Sequence, residues 1–232
     1  MSKKIRVYLD GGTTEQINDK YPVKISGYTF NPSLFKKNKV KDYLSASKKL
    51  AKLCKSKSLS LEVFADDENN MIRQAQLLKS LSKNIYVKIP IVFTNGKSTK
   101  KVICNLANQN IKMNITAIFH IDQVKEILED IKNTNTILSV FVGRLNDSGL
   151  NGYEIMKKIN KFVHKNSKCE TLWASPRQVL DLKLAQETQT DIITMQSEMI
   201  KKIKLFGKNP IIYSKETVTQ FYNDAKSCKY KI

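Results

Sequence analysis

Three ionisable side chains stand inside otherwise apolar runs. Asp10 closes IRVYLD, Glu62 interrupts LSLEVFA and Lys88 interrupts IYVKIPIVF. A charged group in a buried strand is costly unless it is paired or neutralised. Strand residues alternate between faces, so Lys88 shares a face with Tyr86, while Val87 and Ile89 share the other. A neutral lysine amine attacks a ketone and forms a Schiff base. Each residue also has a plainer reading. Lys88 could snorkel to water from a strand mouth, Asp10 could open a turn before Gly11 and Gly12, and Glu62 could be an ion-pair partner. Three such residues in three separate runs weigh toward one shared site.

Other polar residues fall at corresponding places. Thr29 and Asn31 follow the second run in GYTFNPS. Asn114 and Thr116 alternate in IKMNITAIF and so share one face. Ser139 and Phe141 are two apart in TILSVFVGR, which ends on Arg144, and Ser175 and Arg177 follow CETLW. For Asn31-Pro32-Ser33 a turn that initiates a helix is the alternative. For Arg144 and Arg177 the alternative is a surface ion pair. Only four of the 40 basic residues are arginine, yet two of the four follow predicted strands. Arginine offers fixed bidentate donors suited to phosphate, and Ser175 is expected to lead into a helix whose N-terminus favours an anion.

These residues need elements to hold them. Eight short apolar runs, 5–10, 23–29, 59–65, 85–93, 111–119, 136–144, 169–175 and 190–196, alternate with stretches of helical spacing. The helical stretches are 36–55, 67–82, 97–109, 121–132, 151–164, 176–188 and 197–206, and only the link between the first two runs is short. A last helix is expected over 214–228, with Ser214 as its N-cap. Strands separated by helices predict an α/β fold, a single (β/α)8 barrel over 1–232 with an extra C-terminal helix, its active site at the C-terminal ends of the strands. GGTTEQ after the first run lacks the GxGxxG order of a dinucleotide site.

The bulk composition, 41% apolar and 26% charged, is that of an ordinary globular domain. No run of 18 or more apolar residues predicts a membrane span, and MSKKIRVYLDGG lacks the apolar core of a secretory signal, so a cytoplasmic protein is expected. Cys54, Cys104, Cys169 and Cys228 are far apart and read as free thiols. His120 and His164 have no metal-ligand spacing, so no metal is expected. The net charge of +19 comes from lysines spread along the whole chain, which argues against a nucleic-acid surface and would draw anionic substrates in. The oligomeric state is not fixed by the sequence, and a homo-oligomer is compatible with it.

Taken together, YLD at 8–10, GYTFNPSL at 27–34, LEVFADD at 61–67, VKIP at 87–90, NIT at 114–116, FVGRLND at 141–147 and WASPRQVL at 173–180 resemble the transaldolase family, including its fructose-6-phosphate aldolase branch, in order and spacing. The resemblance covers nearly the whole chain. It implies a cofactor-free transferase of the pentose phosphate pathway that moves a dihydroxyacetone unit between phosphorylated sugars, from sedoheptulose 7-phosphate and glyceraldehyde 3-phosphate to erythrose 4-phosphate and fructose 6-phosphate. By the same resemblance Lys88 is the Schiff-base lysine, Asp10 the acid–base at the C4 hydroxyl, Glu62 the activator of the catalytic water and Thr116 its holder. Asn31, Asn114 and Ser139 correspond to ligands of the dihydroxyacetone hydroxyls, with Thr29 retained beside them. Arg144, Ser175 and Arg177 correspond to the phosphate site. The chain departs from the family pattern at Phe30, usually threonine, at Pro176, usually phenylalanine, and at Val140, often proline. The aldolase branch usually has glutamine in place of Glu62 and tyrosine in place of Phe141, so the residues here are transaldolase-like. The alternatives are an aldolase that releases free dihydroxyacetone and a non-catalytic basic binding protein on a barrel scaffold.

Overall fold

Each of the eight apolar runs overlaps a parallel strand in the computed structural model, which describes residues 4–231. The strands are β1 (Arg6–Asp10), β2 (Ile25–Phe30), β3 (Ser58–Glu62), β4 (Ile85–Pro90), β5 (Met113–Ile118), β6 (Ile137–Val140), β7 (Glu170–Trp173) and β8 (Ile192–Met195). They pair in sequence order, and β8 pairs back onto β1, closing a barrel. Around it run α1 (Thr14–Asn18), α2 (Pro32–Lys37), α3 (Tyr43–Leu53), α4 (Glu68–Ser80), α5 (Lys100–Asn108), α6 (Ile121–Ile131), α7 (Val142–Asp147), α8 (Gly152–Asn166), α9 (Asp181–Glu187), α10 (Ser197–Lys201) and α11 (Pro210–Ser227). This is the (β/α)8 barrel with a C-terminal helix that the alternation predicts.

Alternation along each strand builds two cores. Leu9, Leu61, Val87, Ile89, Ile115, Leu138 and Ile193 face outward and are buried under helix residues such as Met71, Ala75, Ile103, Leu106, Ile127 and Ile159. Each fully buried aliphatic side chain of this kind contributes about 1.5–3 kcal/mol. The inward face carries a smaller cluster of Tyr8, Ile137, Leu172, Ala174 and Ile192, with Tyr86 and Phe141 packed against it. Gly27 makes room for it, because a Cβ there would lie 2.6 Å from the Tyr8 ring. Strand register then sets the heights: Asp10 pairs with Thr29, Thr29 with Ser60, Glu62 with Lys88 and Lys88 with Asn114.

Several expected boundaries differ. The 136–144 run does not stay extended: β6 ends at Val140, Phe141 turns the chain (φ −85°, ψ 63°), and Arg144 lies inside α7. The stretch after β7 stays irregular until Asp181, so Ser175 does not lead directly into a helix. The 36–55 stretch splits into α2 and α3, and the short link after β1 holds the single-turn α1. In α11 the cap is Asn209, whose side chain accepts from the Ile211 and Ile212 amides, with Pro210 in the first turn. Ser214 therefore sits inside the helix, and no residue of α11 is buried.

Candidate active site

At the C-terminal end of the barrel lies a cavity of about 90 Å3 lined by Asp10, Thr29, Asn31, Lys88, Thr116, Ser139, Phe141, Arg144, Leu172, Ala174, Ser175 and Thr194. Lys88 is only 6% exposed. Its Nζ lies 2.9 Å from Glu62 Oε2, because the register of β3 and β4 puts the two residues side by side. Tyr43 donates to the Glu62 backbone carbonyl at 2.6 Å and ties that end of β3 to α3. Asp10 sits at the same end of β1 and accepts from Thr29 Oγ1 at 2.7 Å. Burial pushes the Asp10 carboxyl above the ordinary carboxylate range, opposed by the Thr29 hydrogen bond and the charge of Lys88.

Asn114 occupies the barrel interior beside Lys88 and is fully buried. It donates to Ser60 Oγ at 3.1 Å and accepts from Ser139 Oγ at 2.6 Å. Those two bonds fix the amide orientation, and the amide in turn aims the Ser139 hydroxyl. Thr116 is 2% exposed and faces the cavity, and its hydroxyl has no protein partner among the described residues. A buried hydroxyl left unmatched is costly, so this one is available to a small polar ligand. Asn31 does two things: it lines the cavity and caps α2 by accepting from the Leu34 amide at 2.8 Å.

The rim is built by α7 and the segment after β7. Phe141 stacks on Phe119 with ring centroids 5.6 Å apart, and the Arg144 guanidinium lies 5.0 Å from the Phe141 ring centre. Ser175 takes the left-handed region at φ 61°, which costs a non-glycine residue about 1–3 kcal/mol. Its carbonyl oxygen occupies the space where Gly143 would carry a Cβ. Glycine between Val142 and Arg144 thus lets the start of α7 press against the 174–175 backbone and sets Arg144 beside Ser175. Arg177 is placed otherwise. Its Nε donates to both Asp147 carboxylate oxygens at 3.0 and 2.9 Å, Nη2 bonds the same carboxylate, and the side chain does not line the cavity. Arg177 is thus held in an ion pair with Asp147, and Arg144 is the arginine that lines the cavity, together with Ser175.

A family model described as transaldolase/fructose-6-phosphate aldolase matches residues 7–231. The chain belongs to this family. Relatives named "Probable transaldolase" include one from Bartonella henselae, 29% identical over 202 residues that span 86% of this chain and 88% of the relative. Another, from Clostridioides difficile, is 28% identical over 230 residues, 98% of this chain and all of that one. Among solved structures, the N-acetylneuraminate lyase of Mycoplasma synoviae superposes with a TM-score of 0.53 at 14% identity, covering 97% of this chain and 79% of that one. At that identity the likeness speaks for the barrel fold alone.

Within this transaldolase/fructose-6-phosphate aldolase barrel, two of the three departures lie away from the cavity. Phe30 packs on Phe35, their ring centroids 5.6 Å apart, and Val140 is fully buried in the outer core. Pro176 follows Ser175 directly at the rim. Glu62 and Asn114 stand behind the cavity wall, one on Lys88 and one between Ser60 and Ser139. Sequence reasoning missed Ser60, Leu172, Ala174 and Thr194. The available signal was parity, since Thr194 falls on the inward face of its strand with Ile192. A larger cleft of about 890 Å3, lined by residues such as Asp66, Lys97, Lys101 and Cys104, lies outside the barrel between α4, α5 and α6, and none of the candidate catalytic or substrate-binding residues lines it. Among the described residues no group of three histidine, cysteine or acidic side chains is placed to hold a metal ion. No described helix is long and apolar enough to cross a membrane. Burial pushes the Cys54 thiol up to about 12 and the Cys169 thiol up to about 11, so both stay protonated at neutral pH.

Proposed function

We propose that this protein is a transaldolase that carries a dihydroxyacetone unit on Lys88 from a ketose phosphate to an aldose phosphate. Sedoheptulose 7-phosphate with glyceraldehyde 3-phosphate, and fructose 6-phosphate with erythrose 4-phosphate, are the expected pairs. The observation that carries the reading is the enclosed Lys88 amine, held 2.9 Å from one carboxylate and opening into a cavity that also presents a second, Asp10.

The ketose carbonyl carbon accepts the Lys88 nitrogen, and the carbinolamine loses its hydroxyl as water to give an iminium. Glu62 stands where it can pass protons between the amine and that water, and the unmatched Thr116 hydroxyl can hold the water in place. Asp10 then takes the C4 hydroxyl proton. The C3–C4 bond breaks, its electron pair neutralises the iminium, and an aldose phosphate leaves with its new carbonyl at the former C4. The enamine carbon left on Lys88 attacks the carbonyl of a second aldose phosphate, and Asp10 returns its proton to the alkoxide. Water finally adds to the iminium and frees Lys88. A cavity of about 90 Å3 holds about three waters' worth of volume. The three-carbon unit would sit inside, with the phosphate outside near Arg144 and Ser175.

Borohydride added with fructose 6-phosphate is expected to reduce the imine and add mass at Lys88, and Lys88→Met is expected to be inert. An adduct on another lysine would overturn the assignment.

Phe141 favours transfer over release of free dihydroxyacetone. Its ring, fixed between Phe119 and Arg144, lines the cavity without a hydroxyl that could order water against the enamine. Phe141→Tyr is expected to raise the ratio of dihydroxyacetone release to transfer while leaving the Lys88 adduct intact. A wild-type enzyme that already releases more than it transfers would favour the aldolase reading.

A further inference from the structure

Thr194 is the polar residue of the cavity that neither motif nor resemblance singles out. It sits in β8, is 4% exposed, and points into the barrel beside Asp10 and Thr29. Its Oγ1 lies 2.5 Å from Thr29 Oγ1, and Thr29 Oγ1 donates to Asp10 Oδ1 at 2.7 Å. The three side chains come from strands that are neighbours across the barrel closure: β8 pairs with β1, and β1 with β2.

The direction of this chain follows from counting hydrogens. A carboxylate only accepts, and each hydroxyl has one hydrogen. While Asp10 is ionised, Thr29 must give its hydrogen to Asp10. The hydrogen between the two threonines must then come from Thr194. If Thr194 could not donate, the Thr29 oxygen would lose its donor and its bond to Asp10 would lose the polarisation that a chain of hydrogen bonds supplies. We infer that Thr194 is a positioning residue for the reaction: it holds Thr29 as the donor to Asp10 Oδ1, so that the other Asp10 oxygen, Oδ2, is the one left to take the substrate proton. When Oδ2 picks up that proton, Oδ1 is still an acceptor, so Thr194 and Thr29 keep the same donor direction through the proton transfer. The inference rests on the reading of Asp10 as the acid–base of the Lys88 reaction.

Thr194→Val keeps the side-chain shape and removes the donor. One neutral hydrogen bond is at stake, so kcat should fall about threefold to tenfold, with KM for the ketose phosphate nearly unchanged. The Thr29 bond favours the ionised form of Asp10, so weakening it should move the acidic limb of the pH–rate profile to higher pH. Thr194→Ser retains the hydroxyl and should restore both kcat and the limb. In a Thr29→Val background the Thr194→Val change should have no further effect on the limb, because the residue acts through Thr29. Wild-type kcat and limb in a folded Thr194→Val protein would overturn the inference. So would a Thr194→Ser protein no better than the valine variant, or full additivity with Thr29→Val. Asp10→Asn is the separate control: if it keeps turnover, the reading of Asp10 itself fails. If it loses turnover while Thr194→Val is silent, only the inference fails.

Discussion

Asp10 holds its charge where burial works against it. Its carboxyl is raised above the ordinary range in the folded protein, whereas an unfolded aspartate titrates near about 3.9. Between those two values the folded chain binds more protons than the unfolded one, so stability falls as pH rises through that window, and above it the full cost is present. Asn in its place can still accept from Thr29 and carries no charge. Asp10→Asn is therefore expected to unfold at a higher denaturant concentration than the wild type at pH 8, with the advantage gone below about pH 4. In the proposed mechanism the same variant has no turnover. A loss of stability at pH 8 would mean that the carboxylate is better matched by its neighbours than its burial suggests. Lys88 and Glu62 are enclosed by the strands as well, and they satisfy each other as an ion pair. Sequence alone exposed these three because a charge inside an apolar run is anomalous. Thr194 gave no such anomaly, since a β-branched threonine in a strand is what packing alone would select.

The strands were legible because their residues alternate between two buried faces, and apolar runs bounded by helical spacing are hard to read otherwise. The ends were less so. Phe141 and Val142 continue the apolar pattern of β6, yet the chain has already turned there, because Gly143 must reach the Ser175 carbonyl. Pro176 and a left-handed Ser175 delay the helix that the spacing of 176–188 predicted. The Arg177–Asp147 pair joins residues 30 apart in sequence, a distance that no local pattern reports. The approach of α7 to the 174–175 backbone can be tested directly. A methyl at Gly143 would overlap a backbone oxygen rather than a yielding side chain. Gly143→Ala is expected to cost stability at the upper end of the about 1–3 kcal/mol seen for overpacking, read as a lower urea midpoint. It should also weaken phosphosugar use, because Arg144 and Ser175 flank the contact. A variant of wild-type midpoint would mean that the segment slides freely and that the glycine serves the turn alone.

At the scale of the whole molecule the charge is the dominant fact. A net +19 surrounds a rim whose cation is Arg144, and lysines distributed over the surface raise the local concentration of anionic sugars without touching them. Salt screens this, with a Debye length of about 10 Å at 0.1 M. KM for phosphorylated substrates is expected to rise with ionic strength while KM for unphosphorylated dihydroxyacetone stays flat. Arg144→Ala should remove a contact of about 1.5–3 kcal/mol and leave the salt slope in place; equal loss with both substrate types would assign Arg144 to structure instead. The barrel and α11 respond to their surroundings by different rules. The barrel is held by two cores, whereas α11 carries 18 residues with none buried and leaves Ile211, Val218, Phe221 and Tyr222 in the open. A helix without tertiary packing is marginal in water, so in a lone chain its amide hydrogens should exchange at close to the rate of local fraying, orders of magnitude ahead of the strands. Far-ultraviolet ellipticity would then begin to fall before the near-ultraviolet signal of Trp173, buried where the barrel meets its helices. The two optical signals would trace two events, and a melting curve drawn from helicity alone would understate the stability of the fold that houses the site.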